Sequence, residues 1–202
     1  MSSSPSTGAN SQMGCSRKSQ ITIYADYVFP FCLLAERVLA DEIGGRSITI
    51  AWRAFELRPE PAPTLRVEDG YLPSVWRNSV YPLAEHLGVS IKLPLFSPQP
   101  RSTKAFELLV MAQESGLDHP YSMRILRAFF QDGRDIGDPE TPVALAADAG
   151  LDPVQARAAL ETGTYVKQRC EALRQALEEL DANQSIRLAN AWFQHAPERK
   201  IQ

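Results

Sequence analysis

A chain of 202 residues, 44% apolar and 22% charged, has the length and apolar content to bury a core as one large domain or as a domain with an insertion. A formal net charge of −3 gives no electrostatic footprint for nucleic acid or an anionic membrane, and neither partner is expected. Three widely spaced cysteines, Cys15, Cys32 and Cys170, argue against a secreted disulfide scaffold and for a reducing, cytoplasmic setting.

Residues 1–19 are rich in serine and nearly free of apolar side chains. They read as a disordered tail with no secretory signal, in which Cys15 is an incidental thiol. No later run approaches membrane-spanning length. Gln20-Ile-Thr-Ile-Tyr-Ala25 alternates apolar and polar residues, predicting a first strand. A helix is predicted from Phe31 to Ile43, with Leu34, Val38, Leu39 and Ile43 on its apolar face and Gly44-Gly45 closing it. Ser47-Ile-Thr-Ile-Ala-Trp52 repeats the strand pattern, with Ile48, Ile50 and Trp52 on one face. Strand, helix and strand of these lengths form a βαβ unit.

Pro59, Pro61 and Pro63 predict an extended exit from the sheet. A weakly periodic helix follows from about Tyr71 to Gly88, carrying Val75, Val80 and Leu83. After a proline-marked loop, Ser102 or Thr103 caps a helix with Ala105, Leu108, Leu109 and Ala112 inside. His119-Pro120 opens the next helix, striped by Tyr121, Ile125, Phe129 and Phe130. Thr141-Pro142 and Asp152-Pro153 read as two N-cap–proline starts of helices ending at Gly150 and Gly163. The last helix sets Val166, Cys170, Leu173, Leu177 and Leu180 on an apolar seam, so Cys170 is expected to be core. Residues 182–202 show no strand pattern.

The chemistry-bearing stretch is Asp26-Tyr-Val-Phe-Pro-Phe-Cys32, between the first strand and its helix. A thiol at a helix N-terminus meets unpaired N–H groups and the positive end of the helix dipole, which favour a thiolate. Two readings of Cys32 stand: a reactive thiol of lowered pKa, or a packed remnant on the inner side of the first turn. Asp26 either accepts a proton from that thiol or starts an Asx turn. Arg53, Arg58 and Arg66 either line an anion pocket or are solvated charges. His86, His119 and His195 have no metal-ligand spacing.

These residues resemble the DsbA-like thioredoxin-fold family, specifically its FrnE-like branch, across roughly Ile21 to Leu180. The carriers are Asp26, Phe29, Pro30, Phe31 and Cys32, where that branch has Asp-x-x-Cys-Pro-Trp/Phe-Cys. Two further stretches match, Trp52-Arg-Ala-Phe-Glu-Leu-Arg-Pro59 and Ala128-Phe-Phe-Gln-Asp-Gly-Arg-Asp-Ile136. The resemblance implies an α/β fold: a thioredoxin-like βαβ half (20–58), an inserted all-helical domain (59–163) and a helix returning to the sheet (164–181). The closing β-hairpin and its cis-proline segment are missing or replaced by an atypical tail (182–202). It also implies thiol–disulfide oxidoreductase chemistry on a thiol or disulfide protein or a small thiol, with glutathione admissible as a ligand and no other cofactor. Phe29 stands where the family has its attacking cysteine, and Cys32 where it has the resolving one. A phenyl ring forms no mixed disulfide, so the expectation is a one-cysteine or inactive variant. Two alternatives are a glutathione-dependent isomerase or transferase of the kappa-like type and a non-catalytic binding scaffold.

Overall fold

The computed structural model describes residues 19–46 and 48–182. The expected tails, Cys15, His195 and the fate of the closing hairpin lie outside the described residues. Two parallel strands, β1 (Ser19–Ala25) and β2 (Ile48–Ala54), flank helix α1 (Pro30–Ile43) and pair in register from Ser19↔Ile48 to Ala25↔Ala54. Gly44 closes α1 as expected, its N–H donating to the Ala40 carbonyl at 3.3 Å.

Everything from the end of β2 to residue 162 is loop or helix. A 3-10 turn (Val67–Asp69) precedes α2 (Tyr71–Val75), which continues through one wide π turn (Trp76–Val80) into α3 (Tyr81–His86). Then come α4 (Thr103–Glu114), α5 (Asp118–Phe130), α6 (Glu140–Asp148) and α7 (Pro153–Thr162). Helix α8 (Val166–Ala182) returns to pack on β2, and Tyr24 of β1 donates its hydroxyl to Glu179. Tyr121, Ile125, Phe129 and Phe130 are fully buried, as the aromatic stripe predicted.

The helical block also finishes the outer edge of β2. The Trp52 N–H donates to Asp118 Oδ2 at 3.0 Å, and its carbonyl accepts from Gln113 Nε2 at 2.7 Å. Its indole N–H reaches His119 Nδ1 at 3.0 Å. Side chains of α4 and α5 thus satisfy backbone groups that another strand would otherwise pair. This is where His119, one of the three scattered histidines, is engaged.

Several expectations fail for identifiable reasons. Cys170 is exposed, not core, and so are Val166 and Leu177. The seam of α8 is rotated by one residue, with Ala176 and Leu180 buried and Arg169, Ala172 and Leu173 half-buried. Small alanines and an aliphatic arginine stem can face a packed wall as well as larger apolar residues do. Val38 is 43% exposed although it shares the spacing of buried Leu34, and in α3 it is Ala84 that is buried while Leu83 faces solvent. Helix α6 starts at Glu140, one residue before the expected cap, so Thr141 is buried inside the first turn. Asp152 does cap α7, accepting from Val154 N at 2.8 Å and Gln155 N at 3.4 Å. Ser102 holds the N-cap position of α4 without capping it; its hydroxyl is engaged elsewhere.

Candidate functional site

The loop from β1 to α1 turns tightly because Asp26 accepts four hydrogen bonds around it. Its carbonyl accepts from Phe29 N at 3.0 Å, and its Oδ1 accepts from Val28 N at 3.3 Å, which is the Asx turn. Its Oδ2 accepts from Leu57 N at 2.9 Å, tying the loop to the exit of β2. Its Oδ1 also accepts from the Ser102 hydroxyl at 2.6 Å, tying the loop to the start of α4. One buried carboxylate therefore pins the β1–α1 loop, the exit of β2 and the start of α4 together. Burial raises the Asp26 pKa, against the opposing pull of Ser102 and the backbone N–H groups of Leu57, Val28 and Tyr27. Next to it, Tyr27 is fully buried, its hydroxyl 2.8 Å from Ser122 Oγ and its ring packed on Phe106 and Tyr121.

Phe29 takes the N-cap position of α1, extended at φ −101° and ψ 108°, with Pro30 as the first helical residue. The Cys32 N–H donates to the Phe29 carbonyl at 3.0 Å, one turn into the helix. Phe29 and Phe31 are half-buried and their rings pack together with centroids 5.2 Å apart. Cys32 lies on the inner side with only 8% of its surface exposed. Burial pushes its thiol up to about 12, the Asp26 carboxylate adds to the rise, and a hydrogen bond from the Asp26 backbone works the other way. The helix N-terminus does not win, because the sulfur is shut away from water and faces a carboxylate.

In front of this turn is a cavity of about 450 Å³. Phe29, Pro30 and Phe31 form one wall. Leu57, Leu65, Leu72, Val75, Trp76 and Phe130 are among its other apolar members, and Arg58 and Arg101 among its polar ones. Cys32 does not line it. Of the three arginines considered as an anion pocket, only Arg58 is there: Arg53 is exposed on β2, and Arg66 pairs with Glu68 at 3.3 Å. Arg101 was not anticipated. Its guanidinium donates to the carbonyls of Arg58 at 2.8 Å and Ala62 at 2.7 Å, fixing the proline-rich exit against the cavity. Glu56 is also on the lining, and its carboxylate meets Arg169 of α8 at 3.2 Å. Aromatic residues in the helical block, Trp76 and Phe130, were the available sequence signal for this wall; nothing in their local pattern pointed to Asp26.

Among the described residues, no three His, Cys, Asp or Glu side chains gather as a metal site. Nor is any helix there long and apolar enough to cross a membrane.

Residues 20–183 match the family model described as a DSBA-like thioredoxin domain. The chain is 41% identical over 162 residues to the uncharacterized protein YwbO of Bacillus subtilis (strain 168), covering 80% of this chain and 81% of that one. Its fold is shared with the probable DsbA oxidoreductase SCO1869 of Streptomyces coelicolor, at a TM-score of 0.66 and 22% identity over 79% of this chain and 75% of that one. It is shared too with the cytosolic disulfide reductase DsbM of Pseudomonas aeruginosa solved with GSH, at a TM-score of 0.59 and 18% identity over 81% of each chain. The two-stranded βαβ unit with its helical insertion is thus a thioredoxin-like α/β fold, and the chain belongs to the DSBA-like thioredoxin-domain family.

Proposed function

We propose that this chain is a non-exchanging member of its family, one that has lost the dithiol cycle and keeps the cavity at the start of α1 as a ligand site. One observation carries the reading: Phe29 stands at the cavity wall ahead of Pro30, while the thiol Cys32 is enclosed behind it, where burial pushes its pKa up. Disulfide exchange begins with an accessible thiolate attacking a disulfide sulfur. Position 29 has no sulfur, and burial at position 32 restricts access and disfavours the thiolate. Cys32 then acts as packing, and Asp26, Phe29, Pro30 and Phe31 act by shaping the turn and the cavity.

The order of matching motifs supports the FrnE-like branch. A small thiol such as glutathione, or a segment of a thiol or disulfide protein, would be held here without a covalent bond; DsbM, solved with GSH, supports weighing glutathione. A cytoplasmic location is supported by the free thiols Cys32 and Cys170 and by the cytosolic setting of DsbM.

The test is alkylation of Cys32 by iodoacetamide at pH 8, in a chain carrying Cys15→Ser and Cys170→Ser. Relative to the same chain in denaturant, Cys32 is expected to react at least about a hundredfold more slowly, since a rise of this size removes most of the thiolate. A rate within tenfold of the denatured one, or insulin reduction by the unmodified protein, ends the proposal. Phe29→Cys restores an attacking sulfur at the cavity wall and is expected to produce insulin-reducing activity where there was none.

A further inference from the structure

We infer that the cavity at the start of α1 takes a small amphipathic anion, with an apolar, preferably aromatic body inside and a carboxylate or sulfonate at the mouth on Arg58. This rests on the reading of the cavity as a retained ligand site and names the ligand's chemistry. At about 450 Å³ the cavity has the size of ordinary small-molecule sites. Its walls are mainly ring and branched aliphatic surface: Phe29, Phe31, Leu65, Leu72, Trp76 and Phe130. Burying an apolar body there gains roughly 25 cal/mol per Å² removed from water.

The charges select the sign of the polar end. Asp26, the nearest buried carboxylate, has both oxygens engaged by Ser102, Val28 and Leu57, and it does not line the cavity. Glu56, on the lining, is matched by Arg169 at 3.2 Å. The Arg101 guanidinium is engaged by two backbone carbonyls and by Glu60 at 3.5 Å. Arg58 differs from all of these. It is exposed at the rim, only its backbone carbonyl is engaged among the described residues, and its guanidinium offers a planar pair of donors to an incoming acid. Gln99, the buried amide on the lining, donates its Nε2 hydrogens to the carbonyls of Pro94 and Phe96, so they are not available to an anion.

The experiment uses the full chain and the probe 1-anilinonaphthalene-8-sulfonate, read by its own fluorescence and by energy transfer from tryptophan, with N-phenyl-1-naphthylamine as the uncharged counterpart. Saturable one-site binding of both probes is expected. Arg58→Gln is expected to weaken the sulfonate about tenfold, the size of one charge-assisted hydrogen bond at a partly exposed rim, and to leave the neutral probe within twofold. Arg58→Lys is expected to recover part of the loss. Leu57→Glu, at a position 43% exposed and therefore tolerant of charge, places a carboxylate on the lining and is expected to abolish sulfonate binding. The inference is overturned if Arg58→Gln leaves the sulfonate unaffected, if Leu57→Glu does not reduce its binding, or if neither probe binds. It is also overturned if glutathione binds by calorimetry and the probes do not, an outcome that leaves the non-exchanging reading standing. That reading is decided separately, by the reactivity of Cys32.

Discussion

In the helical block Phe106, Leu108, Ile125, Leu126 and Ile136 are wholly enclosed, whereas in the βαβ half Ile21, Ile23, Ile48 and Ile50 remain half-buried. Both regions carry the apolar patterns that their elements require, so the difference lies in what each has to pack against. Helices α4 to α7 pack on one another and bury their stripes mutually. The two-stranded sheet has α8, α5 and the side chains of α4 and α5 at the β2 edge, and among the described residues nothing pairs with the other edge of β1. Two strands rarely stand without such cover. The helical block is therefore the more fully packed partner, and the candidate site lies on the seam where it grips the thinner half through Asp26 and Trp52.

The sharpest way to break that contrast is to delete equivalent bulk on each side. Ile125→Ala in α5, at an enclosed position, is expected to cost about 2–5 kcal/mol, because the surrounding helices cannot close the hole. Ile23→Ala in β1 is expected to cost about 1 kcal/mol, since part of its side chain already meets solvent. Urea denaturation of both variants decides it, and similar losses would show that the two halves are equally consolidated.

Asp26→Ala probes the seam itself. It leaves the Ser102 hydroxyl and the Leu57 N–H without their acceptor, and an expected loss of about 2–3 kcal/mol follows from stranding buried donors. Asp26→Asn separates charge from shape. The folded pKa of Asp26 is raised, so its contribution is full below the unfolded value near 4. That contribution is lost as pH rises through the folded value. The stability of the unmodified protein relative to Asp26→Asn is therefore expected to fall as pH rises above about 4. A relative rise over that range would show that the hydrogen bonds outweigh burial.

Cys32 gives a smaller effect at the other end of the scale. Its folded value of about 12 lies above that of an unfolded thiol, so its contribution is full below about pH 8.5 and is lost as pH rises through the folded value. By pH 10 the unmodified chain is expected to have lost about 1–2 kcal/mol relative to Cys32→Ala, measured by urea midpoints at both pH values. No difference would mean that the sulfur reaches water.

Strand alternation, proline and glycine punctuation and the aromatic stripe made β1, α1, β2 and the helical block legible, because each is a local pattern that packing did not overturn. What stayed hidden was contact at long range. Ser102 read as a cap because Ser at an N-cap usually is one; its hydroxyl instead meets a carboxylate 76 positions away. Arg101 carried no signal at all, and Cys170 was misplaced because periodicity fixes a helix face only to within about one residue. The substitution that matters most for chemistry, Phe29 in place of a sulfur, was visible at once. That Cys32 is enclosed was not, since the same first turn can present a thiol to either side.

Val38→Lys tests the thin half at its most open point. Leu34 is 1% exposed, while Val38, one turn later on the same stripe, is 43% exposed. Helix α1 has by then run past the neighbours that cover its first turn, so the apolar spacing continues where the packing does not. Lysine has a better helix propensity than β-branched valine, and its stem can lie along the remaining apolar surface. The substitution is therefore expected to change stability by no more than about 0.5 kcal/mol, with thermal unfolding as the measurement. A loss above about 1 kcal/mol would mean that in the full chain something covers this face of α1, and the contrast between the two halves would then narrow from the side of the sheet.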